Sequence, residues 1–109
     1  MFTKEQLWQQ AQQLKPWLID VRRDFHRHPE LGMAEFRTRD KIVQYLEEMG
    51  ILYEQGVANT GVVGLIEGER SGKTVALRAD IDALPITEQN EVDYKSTVPG
   101  KMHACGHDA

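Results

Sequence analysis

The chain has 109 residues, of which 40% are hydrophobic, 28% charged and 7% aromatic, with 13 basic against 17 acidic side chains and a net charge of −4. That length holds one small domain, the acidic balance lacks the basic excess of a nucleic-acid binder, and no apolar run approaches the roughly 18–20 residues that span a bilayer. The apolar content is too high and the charge too dispersed for a disordered chain, which leaves a soluble globular chain or a piece of one.

The opening residues Met1-Phe2-Thr3-Lys4-Glu5-Gln6 lack the basic start and apolar core of a signal peptide. Apolar residues then fall at Leu7, Ala11, Leu14, Leu18, Val21 and Phe25. Steps of three and four residues make a helical stripe. Pro16 lies inside it, and the hydrogen bond it removes predicts a kink or a restart near Lys15. His28-Pro29 ends the helix, because a residue before proline avoids the helical region. A second helix is predicted over about Ala34–Met49. Phe36, Ile42, Val43, Leu46 and Met49 form its buried face, and Gly50 ends it.

After Gly50 the texture changes to strand-like. Ile51-Leu52-Tyr53 can open a short strand, and Val62–Ile66 and Thr74–Ala79 read as two more, joined by the turn-rich Glu67–Lys73. Val75–Ala79 is nearly continuous in small and apolar residues, as in a strand covered on both faces. Helices followed by strands predict a layered α/β sheet. Residues 86–102 are polar and mixed and read as a long loop.

Three places carry chemistry-bearing side chains. His103, Cys105, His107 and Asp108 crowd into the last stretch. A thiolate and an imidazole suit zinc and other first-row ions. The alternating spacing of Cys105 and His107 can point both donors to one side of an extended segment, and Gly106 allows a tight path between them. A polar tail that binds nothing is the alternative, and spacing alone does not choose. The pair Asp80 and Asp82 follows the last predicted strand, where α/β sheets place ligands; a turn-capping role is the alternative. His26 and His28 alternate in a charged helix end, and composition gives them no ligand role. Cys105 is the only cysteine, so no internal disulfide forms, and the expected setting is reducing and cytoplasmic. Phosphate-loop, nucleophile-elbow and dinucleotide patterns are absent from the sequence.

Three segments together are more specific than any one. They are Arg22–Gly32 with Glu35 and Thr38 following, Leu77–Ile86 containing Asp80-Ile81-Asp82-Ala83-Leu84-Pro85, and Met102-His103-Ala104-Cys105-Gly106-His107-Asp108-Ala109. In this order the chain resembles the amino-terminal part of the N-acyl-amino-acid amidohydrolases. These metal-dependent peptidase relatives include hippurate hydrolases, indole-acetyl-amino-acid hydrolases and N-acetyl-diaminopimelate deacetylases. The resemblance runs from about Leu14 to Ala109.

The resemblance implies the amino-terminal part of a three-layer α-β-α, zinc-peptidase-like catalytic domain, with residues 1–109 holding an incomplete sheet and no lid or dimerisation domain. It makes Cys105 and His107 metal ligands and sets Asp80 and Asp82 beside the metals. By register Asp82 takes the place of a catalytic aspartate and Asp80 that of a ligating histidine; which matters more stays open, and His103 has no assigned role. Two divalent ions per complete site (Zn, Mn, Co or Ni) would act on a small N-acyl amino acid, with no nucleic acid or membrane partner. The complete enzyme could pair as a homodimer through its lid. In that family the general-base glutamate and the other ligands follow the Cys-Gly-His-Asp motif. The expectation is therefore a chain with two metal ligands, no proton shuttle and no turnover of its own. A non-catalytic metal-binding or complementing fragment is the alternative, and exposed sheet edges are expected to make it unstable or partner-seeking.

Overall fold

Thr3 opens the first helix. Its hydroxyl accepts from the Gln6 amide at 3.2 Å, and the Gln6 side chain accepts from the Thr3 amide at 2.9 Å. This reciprocal box satisfies two donors that a helix start leaves unpaired. The structure, a computed structural model, describes residues 1–108. In it α1 runs unbroken over Lys4–Arg27. The restart expected near Lys15 does not occur. Pro16 deletes one internal bond of a 24-residue helix, while the residues on both sides keep the same apolar register. The end is as predicted: His28 caps the helix, its amide bonded to the Phe25 carbonyl at 3.1 Å, and the fully buried Pro29 follows.

Helix α2 spans Phe36–Glu48, a little shorter than the apolar pattern predicts. Its first turn is capped from outside. The Glu30 carboxylate accepts from the Thr38 amide at 2.6 Å, the Thr38 hydroxyl at 2.7 Å and the Arg37 amide at 3.1 Å. A negative charge at this end also meets the positive pole of the helix. At the other end Gly50 adopts φ +68°. Its amide bonds to the Glu47 carbonyl at 3.0 Å, and the Ile51 amide bonds back to Leu46 at 2.9 Å. This is a Schellman ending, in which a left-handed glycine recovers two orphan carbonyls.

Strands β1 (Leu52–Val57) and β2 (Gly61–Leu65) form an antiparallel hairpin with Leu52 opposite Leu65. The register slips between Gln55 and Val57, where Gly56 takes φ +80°, as at a bulge. Helix α2 packs on this hairpin. Gly64 permits the contact: a Cβ there would stand 3.4 Å from Leu46 Cδ2 and 3.6 Å from Ile51 Cγ2. The buried Glu35 accepts from the buried Thr60 hydroxyl at 2.6 Å, pinning the hairpin to the start of α2.

The strand expected over residues 74–79 is not formed. The segment is irregular and open, with Val75 82% and Leu77 96% exposed. A strand covered on both faces needs neighbouring strands and covering helices, and the described residues set none beside it. The observed sheet has two strands, so the α/β expectation holds with the sheet incomplete. Residues 86–102 form no helix or strand, as predicted. Two isolated bridges fix what flanks them: Leu31 pairs in parallel with Ala83, and Leu84 pairs antiparallel with Met102. No helix among the described residues is long and apolar enough to cross a membrane.

Candidate metal centre

The three sequence motifs meet around Ala83, a buried apolar residue only 3% exposed. Its amide bonds to the Glu30 carbonyl at 2.7 Å. Leu84 and Met102 exchange both amide bonds, at 2.9 and 3.0 Å. Gly32 backs onto Asp82, where a Cβ would stand in ordinary contact, 3.7 Å from Oδ2. So the first motif supports the second, and the second holds the start of the third.

Beyond Met102 the chain turns sharply. Gly106–Asp108 is one turn of 3-10 helix, not the extended segment that the spacing suggested. It nonetheless brings the predicted donors together: Cys105 Sγ lies 3.4 Å from His107 Nδ1. Asp108 holds the turn, its carboxylate accepting from the Cys105 amide at 3.2 Å and its own amide bonding to the Cys105 carbonyl at 3.1 Å. Both Cys105 and His107 are exposed.

Asp80, Asp82, Cys105, His107 and Asp108 line one open cleft of about 580 Å³, with Arg78, Ala79 and Leu84. Arg78 donates to Asp80 Oδ1 at 3.2 and 3.3 Å, a solvent-exposed pair worth little by itself. Asp82 is exposed and turned to the cleft. His103 sits behind the turn, Nδ1 3.8 Å from Asp108 Oδ2, and its buried Nε2 has no partner among the described residues. Burial holds this imidazole below the ordinary histidine value, against the opposing pull of Asp108.

His26 and His28 have structural partners elsewhere. His28 Nδ1 lies 2.8 Å from the Asp24 carbonyl. His26 Nε2 lies 2.9 Å from Glu88 Oε1, with both side chains buried. Two carboxylates organise the surroundings: Glu30, which lies in the Arg22–Gly32 motif but had no role assigned, and Glu88, which carried no sequence signal of its own. Glu88, between Thr87 and Gln89, reads as solvated until the fold brings donors to it.

The donor set fits a metal in part. An ion about 2.3 Å from sulfur and about 2.05 Å from nitrogen, in tetrahedral coordination, separates those donors by about 3.6 Å. The observed 3.4 Å is close to that bite. A complete cage is not present: no three His, Cys, Asp or Glu side chains among the described residues are grouped to hold an ion.

Comparisons with known proteins agree on one relationship. Residues 76–109 match the family model described as Peptidase family M20/M25/M40. The chain is 48% identical over 105 residues to thermostable carboxypeptidase 2 of Saccharolobus solfataricus, covering 95% of this chain and 27% of that one. It is 50% identical over 93 residues to the IAA-amino acid hydrolase ILR1-like 5 of Arabidopsis thaliana, covering 85% and 21%. It is 50% identical over 92 residues to the N-acetylcysteine deacetylase of Bacillus subtilis, covering 84% and 24%. Among solved structures, the Bacillus subtilis YXEP protein, a dinuclear metal-binding peptidase of the M20 family, superposes with a TM-score of 0.82 at 47% identity, over 89% of this chain and 28% of that one. A structure from methicillin-resistant Staphylococcus aureus superposes at 0.90 with 38% identity, over 97% and 28%. The chain thus spans about a quarter of the length of the curated relatives it matches.

Proposed function

We propose that this chain, similar in sequence and fold to members of peptidase family M20/M25/M40, takes part in the metal-dependent hydrolysis of an amide bond, with N-acyl amino acids or related peptide-like amides as substrates. The observation that carries this reading is the meeting of Cys105 and His107, 3.4 Å apart, on the cleft that Asp80 and Asp82 line. Cys105 and His107 would hold a divalent ion, one of two in a complete site, drawn from Zn, Mn, Co or Ni. Bound ions of this kind acidify a water and polarise a carbonyl.

The other roles belong to this chain's own side chains. Asp82 would orient a ligand or a polar substrate group at the cleft floor. Asp80, held by Arg78, would keep the rim acidic. Asp108 fixes the turn that presents both donors. A free, exposed thiol at Cys105 suits a reducing, cytoplasmic setting.

No glutamate is among the residues lining this cleft, and two ligands make a weak site. The 109-residue chain is therefore expected to bind Co²⁺ or Zn²⁺ weakly, through Cys105, and to show no turnover. Equilibrium dialysis against each ion should give binding that Cys105→Ala and His107→Ala abolish. Assays with N-acetyl and N-benzoyl amino acids plus Mn²⁺, Co²⁺ or Zn²⁺ should show no cleavage above the Cys105→Ala control. Cleavage above it would overturn the reading of an incomplete site. Metal binding unchanged in both variants would overturn the ligand assignment. A second reading, a segment that holds metal without catalysis or completes its site with another chain, is favoured by the open cleft and the lack of a third grouped donor. Recovered hydrolysis on mixing with the remaining part of a relative would select it.

A further inference from the structure

We infer that Glu88 is a positioning residue for the Cys105–His107 turn, acting through loop 86–102 from a buried seat against helix α1. The inference rests on the metal-binding reading of that turn. Glu88 is only 5% exposed, in a loop whose other residues are exposed or half-buried. A buried carboxylate persists only where donors replace water, and here three do. His26 Nε2 lies 2.9 Å and Asn90 Nδ2 3.3 Å from Oε1, and the Ser96 amide donates to Oε2 at 2.6 Å. His26 belongs to α1 and Ser96 to the far limb of the loop, so one carboxylate ties the two together.

The tie continues toward the cleft. The Ser96 hydroxyl donates to the Lys101 carbonyl at 2.7 Å. Thr97 adds a second anchor, its amide and hydroxyl both donating to the Arg27 carbonyl at 2.9 and 2.6 Å. Lys101 precedes Met102, which exchanges both amide bonds with Leu84. Leu84 lies two residues after Asp82, and Met102 lies three before Cys105. The distance between the acidic wall of the cleft and Cys105 therefore depends on where Glu88 places the end of the loop. A second, smaller cleft of about 430 Å³ runs from His26 and Glu88 to His103 and Cys105, so the space behind the turn is only partly filled, by His103. Asp108 closes the turn itself, and the hydrogen-bond relay from Glu88, together with the Thr97 anchor, positions the end of the loop that leads into it.

Two measurements on the 109-residue chain test this. Amide hydrogen exchange reads the Leu84–Met102 pair directly. Co²⁺ titration, followed by the thiolate-to-cobalt absorption band, reads whether the turn presents its donors. Glu88→Ala is expected to abolish protection at the Leu84 and Met102 amides and to weaken Co²⁺ binding by roughly tenfold or more, as loss of an outer support does elsewhere. Protection in β1 and β2 should be unchanged. Glu88→Gln, which can still accept from the Ser96 amide, should recover most of both signals. Ser96→Ala removes the later link without burying an unpaired charge; it should weaken cobalt binding with unchanged helical circular dichroism, and it decides the matter if Glu88→Ala does not fold. Wild-type cobalt binding in both Glu88→Ala and Ser96→Ala would overturn the inference, as would loss of exchange protection with no change in cobalt binding. If the unaltered chain gives no thiolate-to-cobalt band, the ligand reading fails, while the exchange measurement still decides whether Glu88 sets the turn.

Discussion

Glu30 and Glu88 direct their charge at backbone amides rather than at water. Glu30 gathers three donors at the start of α2, so Glu30→Ala should destabilise the chain by about 1–2 kcal/mol, the range for loss of a helix cap. Urea unfolding followed at the helical band checks this, with Glu30→Gln falling between. For Glu88, burial alone would raise the carboxyl's pKa. The Ser96 amide, His26 and Asn90 outweigh it and hold the group below its ordinary value of 4.5. The folded value is thus the lower one. The stabilisation is fully present above 4.5 and is lost as pH falls through the depressed folded value. His26 and Asn90 bond it, and Arg22 and His103 line the same cleft. The midpoint of urea unfolding should fall steeply below pH 4.5 in the wild type. Glu88→Gln should flatten that part of the profile, and a profile identical to wild type would place the acid sensitivity elsewhere.

The helices and the hairpin follow from local instructions. The three-and-four spacing from Leu7 to Phe25, the stop at His28-Pro29 and the glycine at 50 each act within a turn or two of chain, so their outcome is readable without the rest of the molecule. Gly61 is a further such instruction, visible only in the structure. A Cβ there would stand 2.5 Å from the Val57 carbonyl oxygen, a backbone atom that cannot move without opening the hairpin. Gly61→Ala should cost about 1–3 kcal/mol, as overpacking does, and should speed amide exchange at Val62 and Val63 before it affects α1. Residues 74–79 show the opposite case. Their composition suits a strand, but a strand's hydrogen bonds come from another segment, and composition cannot report whether that segment lies alongside. The site divides in the same way. Cys105 and His107 stood out in the sequence through the motif that carries the resemblance, since spacing alone left a polar tail as the alternative. Glu88 and Ser96 did not, because their role depends on a return of the loop that no local pattern encodes.

The molecule as a whole is expanded. Its radius of gyration is 16.1 Å, against about 13 Å for a closed domain of this length. Its accessible surface is 8757 Å², against about 6,200 Å² for a folded monomer of its mass. The excess is apolar in part: Leu7, Trp8, Leu14 and Leu18 on α1 are each more than half exposed, and Ala83 is the one buried hydrophobic residue recorded among those described. Helix α1 meets the rest along its second half, through Trp17 edge-on to Tyr45 at 5.7 Å and the Arg37 guanidinium on Asp24 at 2.9 Å. Little surface is hidden on folding, so the urea dependence of unfolding should be shallow for the chain length. An apolar dye should brighten on the native chain, and sedimentation should show association rising with concentration. A steep transition with no dye binding would mean that α1 folds back in solution.

The bridge between Leu84 and Met102 has one more consequence. It closes the neck of a loop whose tip, around Glu91 and Asp93, stands exposed. Lengthening a loop whose ends are already pinned adds little closure entropy. The tip is therefore a natural graft point, where a fluorophore or a short peptide would ride beside the cleft while Asp82 and Cys105 keep their spacing.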